Sequence, residues 1–355
     1  MNKIVHVVES TATGTLSMLR LAANSQAESG HDVRVIYSAR EETPKDLASL
    51  FHPSVELINV QMGSLKEKAL SLFEIRKLVS VIKPQAVFMH SSFAGFLGRL
   101  ALLGKTGKCF YLPHCISFMR QDISGAKRVL FTLLEWAGAL KSATYVACSN
   151  SEGNAIKKHI PFRQCVVVEN AVNVDNWGYQ GDWGARKKRV ITVGQIRLQK
   201  DPVRFAQVAK AVLAQRDDVE FVWVGDGEEE SKQALIAAGV NILGWKTPRE
   251  VKELLQSSSY YLSTALWEGM PVSPIEAMLS GCVAVLSDCA GNVDILESEK
   301  TGFIFHQVAQ ATQQICQLLE NDKFALSLSE AGRKHAAKQY SVERYVQEMN
   351  CLIKV

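Results

Sequence analysis

Short apolar runs recur along the chain, separated by segments in which apolar residues return with the period of a helix. Runs at residues 3–8, 33–37, 55–60, 86–90, 108–112, 145–148 and 166–169 read as strands, with helical patterns at 16–29, 64–82 and 93–103 between them. Strand–helix alternation of this kind predicts a Rossmann-like α/β domain with a parallel sheet. The pattern restarts after residue 188, with strands at 189–193, 221–225, 240–243, 260–264 and 283–287, helices from about Pro202 and from Pro274, and a final helix at 342–353. The expected organisation is a first Rossmann-like domain at 1–172, a second at 173–338, and a C-terminal segment at 339–355 that returns to the first.

Two segments break the rhythm. Residues 176–188 are rich in Gly, Trp and charge without a clear period and read as a linker. Residues 127–140 mix aromatic and aliphatic side chains, with Lys127, Arg128 and Lys141 at the ends. Such a helix can pack on the sheet or lie against a membrane, and packing in the core is the expectation.

Composition bounds the class. A chain of 355 residues with 47% hydrophobic and 21% charged residues is that of an ordinary globular protein of two domains. No apolar run reaches the roughly 18 residues of a spanning helix. The start at 4–8 is too short for a signal peptide, which gives a cytoplasmic expectation. The 8 cysteines form no C-x-x-C pair and read as buried thiols. No H-E-x-x-H, tight His/Cys cluster or D-x-D triplet suggests a metal site, so no metal is expected. The net charge of +4 hides an asymmetry: residues 1–170 hold 20 Lys and Arg against 13 Asp and Glu, while the remainder hold 20 against 23. A basic first half without an RNA or helix-turn-helix motif argues against nucleic acid and suits an anionic membrane or a lipid diphosphate as well as ordinary solvated surface.

The candidate chemistry centres on residues 260–287, a strand, a loop, a short helix and a second strand. Its loop leaves the carboxyl end of a strand, where open α/β sheets bind ligands. Ser273 is placed to cap the helix, Pro274 suits its first turn and Gly281 can close it. The amides and positive dipole end near Val272 can therefore meet an anion such as phosphate. Glu268 and Glu276 bracket this anion site. Carboxylates repel phosphate but accept hydrogen bonds from hydroxyls, which points to a sugar and a ribose beside a diphosphate. Ser273 to Glu276 is equally a capping box, so Glu276 carries a structural reading as well. Arg197 and Lys200, three apart in a strand-to-helix loop, can grip a diphosphate, one as a planar fork and the other as a point charge. Gly14, in the loop after the first strand, either admits backbone to a ligand or makes a tight turn, with Thr15 beside it. Trp245 can stack on a base or belong to the core.

Glu268-Gly269-Met270-Pro271-Val272-Ser273-Pro274-Ile275-Glu276, two Glu flanking seven residues, resembles the signature of the retaining GT-B glycosyltransferases of glycosyltransferase family 4. In chain order, Gly194-Gln195-Ile196-Arg197-Leu198-Gln199-Lys200-Asp201-Pro202, Val224-Gly225-Asp226-Gly227, Gly244-Trp245 and Gly302-Phe303 resemble the same family. Asn170-Ala171-Val172-Asn173 departs from the family's N-G-V-D, and the loop at Gly14 lacks its usual second glycine.

The resemblance implies two Rossmann-like domains facing a cleft, with a nucleotide-sugar donor, a UDP-sugar by expectation, held chiefly by the second domain. The acceptor would be a saccharide, carried on a polyprenyl diphosphate in surface polysaccharide synthesis of the O-antigen or capsule type. It further implies retention without metal. Arg197, Lys200 and the amides of Gly269, Met270, Val272 and Ser273 would serve the diphosphate, Glu268 the donor's ring hydroxyls, Glu276 the ribose and Trp245 the base. His114, after the strand at 108–112, would sit beside the donor sugar. His90, which also ends a strand, reads as structural. A nucleotide-sugar epimerase on the same fold and a non-catalytic binding protein are the alternatives.

Overall fold

A computed structural model describes residues 1–354 except 12, 105–106 and 179–180. The chain divides into two compact units, Met1–Asn170 with Val342–Val355, and Ala171–Ser341.

The first unit holds a parallel sheet of strands β1 (Lys3–Val8), β2 (Asp32–Tyr37), β3 (Glu56–Asn59), β4 (Ala86–His90), β5 (Lys108–Leu112), β6 (Thr144–Ala147) and β7 (Cys165–Val167). Their spatial order is β3-β2-β1-β4-β5-β6-β7. Order reverses between β1 and β4, paired in register Ile4 to Ala86 through Val8 to His90. Val5, Val7, Val87, Met89, Tyr111 and Tyr145 lie in its core. The C-terminal helix Val342–Lys354 packs against the helix Thr13–Glu28 of this unit. Arg344 donates to the carbonyls of Glu169 and Asn170 at 2.8 and 3.1 Å, and Lys108 donates to that of Ile353 at 2.9 Å.

The second unit repeats the plan with β8 (Lys187–Val193), β9 (Glu220–Val224), β10 (Val240–Ile242), β11 (Ser258–Ser263), β12 (Val283–Ser287) and β13 (Phe303–Phe305), ordered β10-β9-β8-β11-β12-β13 and all parallel. The reversal falls between β8 and β11. In a doubly wound sheet this is where the two flanking crossovers go to opposite faces and open a crevice at the carboxyl ends.

Three expectations are corrected. Among its described residues, the stretch 176–188 is not a linker: the turn Trp183–Ala185 and Arg186 belong to the second unit. Buried Arg186 donates to the carbonyls of Ser258, Ser280 and Leu255 at 2.8 to 2.9 Å, and Trp183 packs edge-on against Tyr260. The strand β13, which follows Gly302, is absent from the strands expected from the apolar runs. The cysteines are not uniformly buried: Cys109, Cys148, Cys282 and Cys289 are, but Cys351 is exposed.

Candidate functional site

The loops after β8, β9, β10 and β11 are knitted together by main-chain bonds. Gly194 N–H donates to Val224 O, and Gly225 N–H donates to Gly244 O, both at 2.9 Å. Gly225 must be glycine, since a Cβ there would lie 2.1 Å from the carbonyl oxygen of Gly194. The chain then turns once through Leu198–Lys200 before Asp201 caps the helix Pro202–Leu213 through its side chain. This turn is tied to the loop after β11: Leu266 N–H donates to Gln199 O at 2.9 Å, and Thr264 Oγ1 reaches Lys200 O at 2.8 Å.

That lacing brings Lys200 Nζ within 2.7 Å of Glu268 Oε1. Gln199 Nε2 donates to Glu268 Oε2 at 3.1 Å and to Trp267 O at 3.0 Å. Burial alone would lower the Lys200 pKa, but the neighbouring Glu268 carboxylate holds it above its ordinary value. Glu268 is buried, its Oε2 accepting from Gln199 and its Oε1 facing the Lys200 ammonium in an ion pair, so it is a fixed acceptor. Arg197 is exposed, and no acceptor engages its guanidinium among the described residues.

The helix expected from Pro274 runs over Val272–Leu279, with Pro271 at its N-cap and no side chain capping it. Ser273 is therefore not the cap. It lies in the first turn, and its hydroxyl pairs with Tyr261 OH at 2.9 Å. Pro271 and Pro274 have no N–H, so the amides of Val272 and Ser273 are left at the positive end of the helix, beyond reach of its carbonyls. With Ser273 inside the helix, the capping box dissolves, and Glu276 loses its structural reading. Its half-buried carboxyl has no hydrogen-bond donor among the described residues, and burial pushes its pKa up to about 7. At the other end the expected closure is present. Gly281 (φ 86°) donates to Met278 O and Cys282 N–H donates to Ala277 O, a Schellman arrangement.

In the first unit, His114 and Cys115 follow β5 with φ of 58° and 118°. Consecutive non-glycine residues in this region are strained. Glu152, buried beneath the turn, accepts both the Cys115 and Ile116 amides at 2.8 Å and holds it. His114 Nε2 lies 3.0 Å from His90 Nδ1, His90 Nε2 lies 3.0 Å from His6 Nδ1, and His6 Nε2 lies 2.8 Å from Gln26 Oε1. Neutral imidazoles carry one N–H each. With Gln26 accepting through Oε1, every N–H in the row points toward it, which leaves His114 Nδ1 as an acceptor. Gly14 and Thr15 lie in the first turn of the helix Thr13–Glu28, where Gly14 has no positive φ and a Cβ would touch nothing within 4 Å. The tight-turn reading of Gly14 is not what the fold uses. Part of that loop, residue 12, lies outside the described residues. Trp245 is 64% exposed beside Gly244 (φ 67°) and is not a core residue.

The family described as "Glycosyl transferases group 1" matches residues 176–335, and that described as "Glycosyltransferase Family 4" matches residues 14–176. The chain is a glycosyltransferase of the GT-B fold. The Escherichia coli UDP-Gal:alpha-D-GlcNAc-diphosphoundecaprenol alpha-1,3-galactosyltransferase is 27% identical over 264 residues, 68% of this chain and 67% of that one. The Xanthomonas campestris GDP-mannose:cellobiosyl-diphosphopolyprenol alpha-mannosyltransferase is 22% identical over 245 residues, 65% of this chain and 64% of that one. A solved structure of Anabaena HepE in complex with UDP and glucose superposes with a TM-score of 0.81 at 16% identity over 100% of both chains, a likeness of fold. The protein is thus an enzyme of the hexosyl-transferring type.

In this glycosyltransferase the loops after β8 and β11 bring Lys200 and Gln199 onto Glu268, with Arg197 three residues before Lys200, Gly269, Met270, Val272 and Ser273 following Glu268 along the chain, and Glu276 one turn further along the helix. Sequence reasoning missed what supports them. Gly291 (φ 86°) lies so close to the Glu268 loop that a Cβ would stand 2.8 Å from both Glu268 Cβ and Gly269 O. Ala290 O accepts the Glu268 amide at 3.0 Å. The signal was a Gly-Asn pair after a strand. Also missed were His6 and Gln26, whose pairing with His90 depends on strand neighbours far apart in sequence.

The imidazole row makes a pH prediction. Burial holds the pKa of His6 and His114 down at about 4, and that of His90 well below its ordinary value. Between pH 4 and 6.5 the unfolded chain then binds more protons than the folded one, so stability is present above pH 6.5 and lost on acidification. Full titration of His6 alone corresponds to on the order of 3 kcal/mol. Glu276 acts in the opposite direction, so urea midpoints are best followed in a Glu276→Gln background. A midpoint that stays flat from pH 7 to pH 4.5 would show that the row titrates normally.

Proposed function

We propose that the glycosyltransferase moves a hexose from a UDP-sugar, with retention at the anomeric carbon, to a saccharide carried on a polyprenyl diphosphate at the inner face of the plasma membrane, in surface polysaccharide assembly. The observation that carries the donor reading is one loop system holding an unpaired guanidinium, an ammonium fixed by Glu268 and an uncapped helix start. The C1–O bond to the diphosphate breaks while the acceptor oxygen bonds C1 on the same face. The acceptor's proton passes to the departing phosphate oxygen, giving UDP and the extended saccharide. Arg197, Lys200 and the amides of Val272 and Ser273 stabilise the growing negative charge. Glu268 accepts from the donor's ring hydroxyls, Glu276 from the ribose, Trp245 stacks on the base, and His114 positions the sugar. The acceptor class rests on two relatives whose names carry lipid diphosphates, together with the basic first 170 residues. Those relatives differ in donor base, so the base is decided by experiment.

A thermal-shift panel of UDP, GDP, ADP and their sugars tests the donor. At 100 times its dissociation constant the true nucleotide should stabilise the fold by about 2.7 kcal/mol. A shift with GDP and none with UDP would reassign the donor. Because cationic side chains and helix amides stand where a metal would otherwise act, transfer should continue in excess EDTA. Activity lost in EDTA and restored by magnesium or manganese would overturn the metal-free reading.

A further inference from the structure

The helix Gly125–Gly138 was expected to bury its apolar residues, and it does the reverse. Its inner face carries Glu135, which accepts from Arg99 Nη2 at 2.8 Å and Tyr111 OH at 3.0 Å, and Gly138, packed against the Arg99 guanidinium. Its outer face carries Val129, Leu133 and Trp136, at i, i+4 and i+7, continued by Leu140 just past its end. All are exposed, Leu140 by 73%. A helix on a water-exposed surface ordinarily has the opposite polarity. Phe162 extends the patch from a second segment. Its ring meets Trp136 edge-on at 5.8 Å, and Trp136 Nε1 donates to His159 O at 2.9 Å, so the two segments are fixed to each other.

The exposed charge between residues 123 and 168 has one sign. The two carboxylates between residues 123 and 168, Glu135 and Glu152, are both buried. Lys127, Arg128, Lys157 and Lys158 are exposed. A second copy docked through a twofold axis would set these cations against themselves, whereas an anionic bilayer complements them. Among the described residues no helix is long and apolar enough to cross a membrane.

We infer that the outer face of Gly125–Gly138 with Phe162 is a docking surface for an anionic lipid bilayer, with Leu133, Trp136, Leu140 and Phe162 entering the interface and the four cations meeting lipid headgroups. Aromatic and aliphatic side chains ringed by Lys and Arg are the composition of an interfacial anchor. The surface deepens the proposed lipid-linked acceptor and rests on it for its purpose, since docking would bring the enzyme to where such an acceptor resides.

The full-length protein, without nucleotide sugar or acceptor, is floated with vesicles of phosphatidylglycerol and phosphatidylethanolamine, and with phosphatidylcholine alone. It should bind the anionic vesicles and bind less at 300 mM than at 50 mM salt. Leu133→Asp/Leu140→Asp and Lys127→Glu/Arg128→Glu should each weaken binding by about tenfold or more. Melting temperatures should hold, because the substituted side chains face solvent. Absence of binding by the wild type, or unchanged binding by both variants, overturns the inference. So does a dimer in solution that Leu133→Asp/Leu140→Asp dissolves, which would assign the patch to a second copy. Transfer to a water-soluble acceptor is measured separately. Vesicle binding without use of a lipid-linked acceptor would sink the acceptor reading and leave the docking surface standing.

Discussion

Arg197→Ala should lower kcat by roughly 10²- to 10³-fold, a loss of about 2 to 4 kcal/mol of transition-state stabilisation, comparable with removal of one oxyanion donor. Its folding stability should stay within about 0.5 kcal/mol of wild type, the usual range for an exposed side chain without partners. Lys200→Ala should behave differently. It removes the same kind of charge from the leaving diphosphate, but it also leaves the buried Glu268 carboxylate without the ammonium 2.7 Å away. Breaking one side of a buried pair costs about 3 to 5 kcal/mol, so this variant should be both inactive and destabilised. Lys200→Ala with Glu268→Gln separates the two effects, because a neutral amide in place of the carboxylate restores folding while activity stays lost. Activity of Arg197→Ala within about threefold of wild type, less than 1 kcal/mol, would remove it from the site.

The contrast between those residues shows where sequence stopped being informative. Arg197 and Lys200 are alike as letters in a loop. Only the lacing of Leu266 to Gln199 and Thr264 to Lys200 makes one a half-buried partner of Glu268 and leaves the other exposed. Strands of apolar residues such as β1 and β4 were legible because continuous burial writes a continuous run. The anion site was legible as a helix start after a strand, yet its cap was misplaced. Ser273 is a better N-cap than Pro271 by intrinsic preference, but its hydroxyl is taken by Tyr261 on the neighbouring strand, a contact with no local signature. The helix Gly125–Gly138 was misread for a related reason. Its period gave a helix, but burial of Glu135 depends on Arg99 and Tyr111 from elsewhere in the unit, and that pairing decides which face turns outward.

Donor affinity should depend on pH through Glu276. Burial pushes its carboxyl up to about 7, so near neutrality a large share of the protein carries a proton there. A carboxylate can accept from two ribose hydroxyls at once, whereas the protonated acid has given up part of that capacity. If binding requires the carboxylate, each pH unit below 7 should weaken a UDP-sugar by up to about tenfold, with a plateau above pH 7.5. The diphosphate diester of the donor does not itself titrate in that range. Glu276→Gln should bind weaker than wild type at pH 8 by about tenfold or more, the loss of a charge-assisted hydrogen bond worth on the order of 1.5 to 3 kcal/mol, and should show no slope. The same variant reports on stability with the opposite sense. A Glu whose folded pKa lies above its unfolded value binds more protons when folded between about 4.5 and 7, so the stability it contributes is present in acid and lost as pH rises through that window. Glu276→Gln should therefore be more stable than wild type at pH 8, by on the order of 1 kcal/mol for a carboxyl still partly screened by solvent, and lose that advantage at pH 5. Calorimetric titration at pH 5.5, 7 and 8 decides the binding half. A wild-type affinity that is flat across this range and matched by Glu276→Gln would mean that the carboxyl faces no donor hydroxyl.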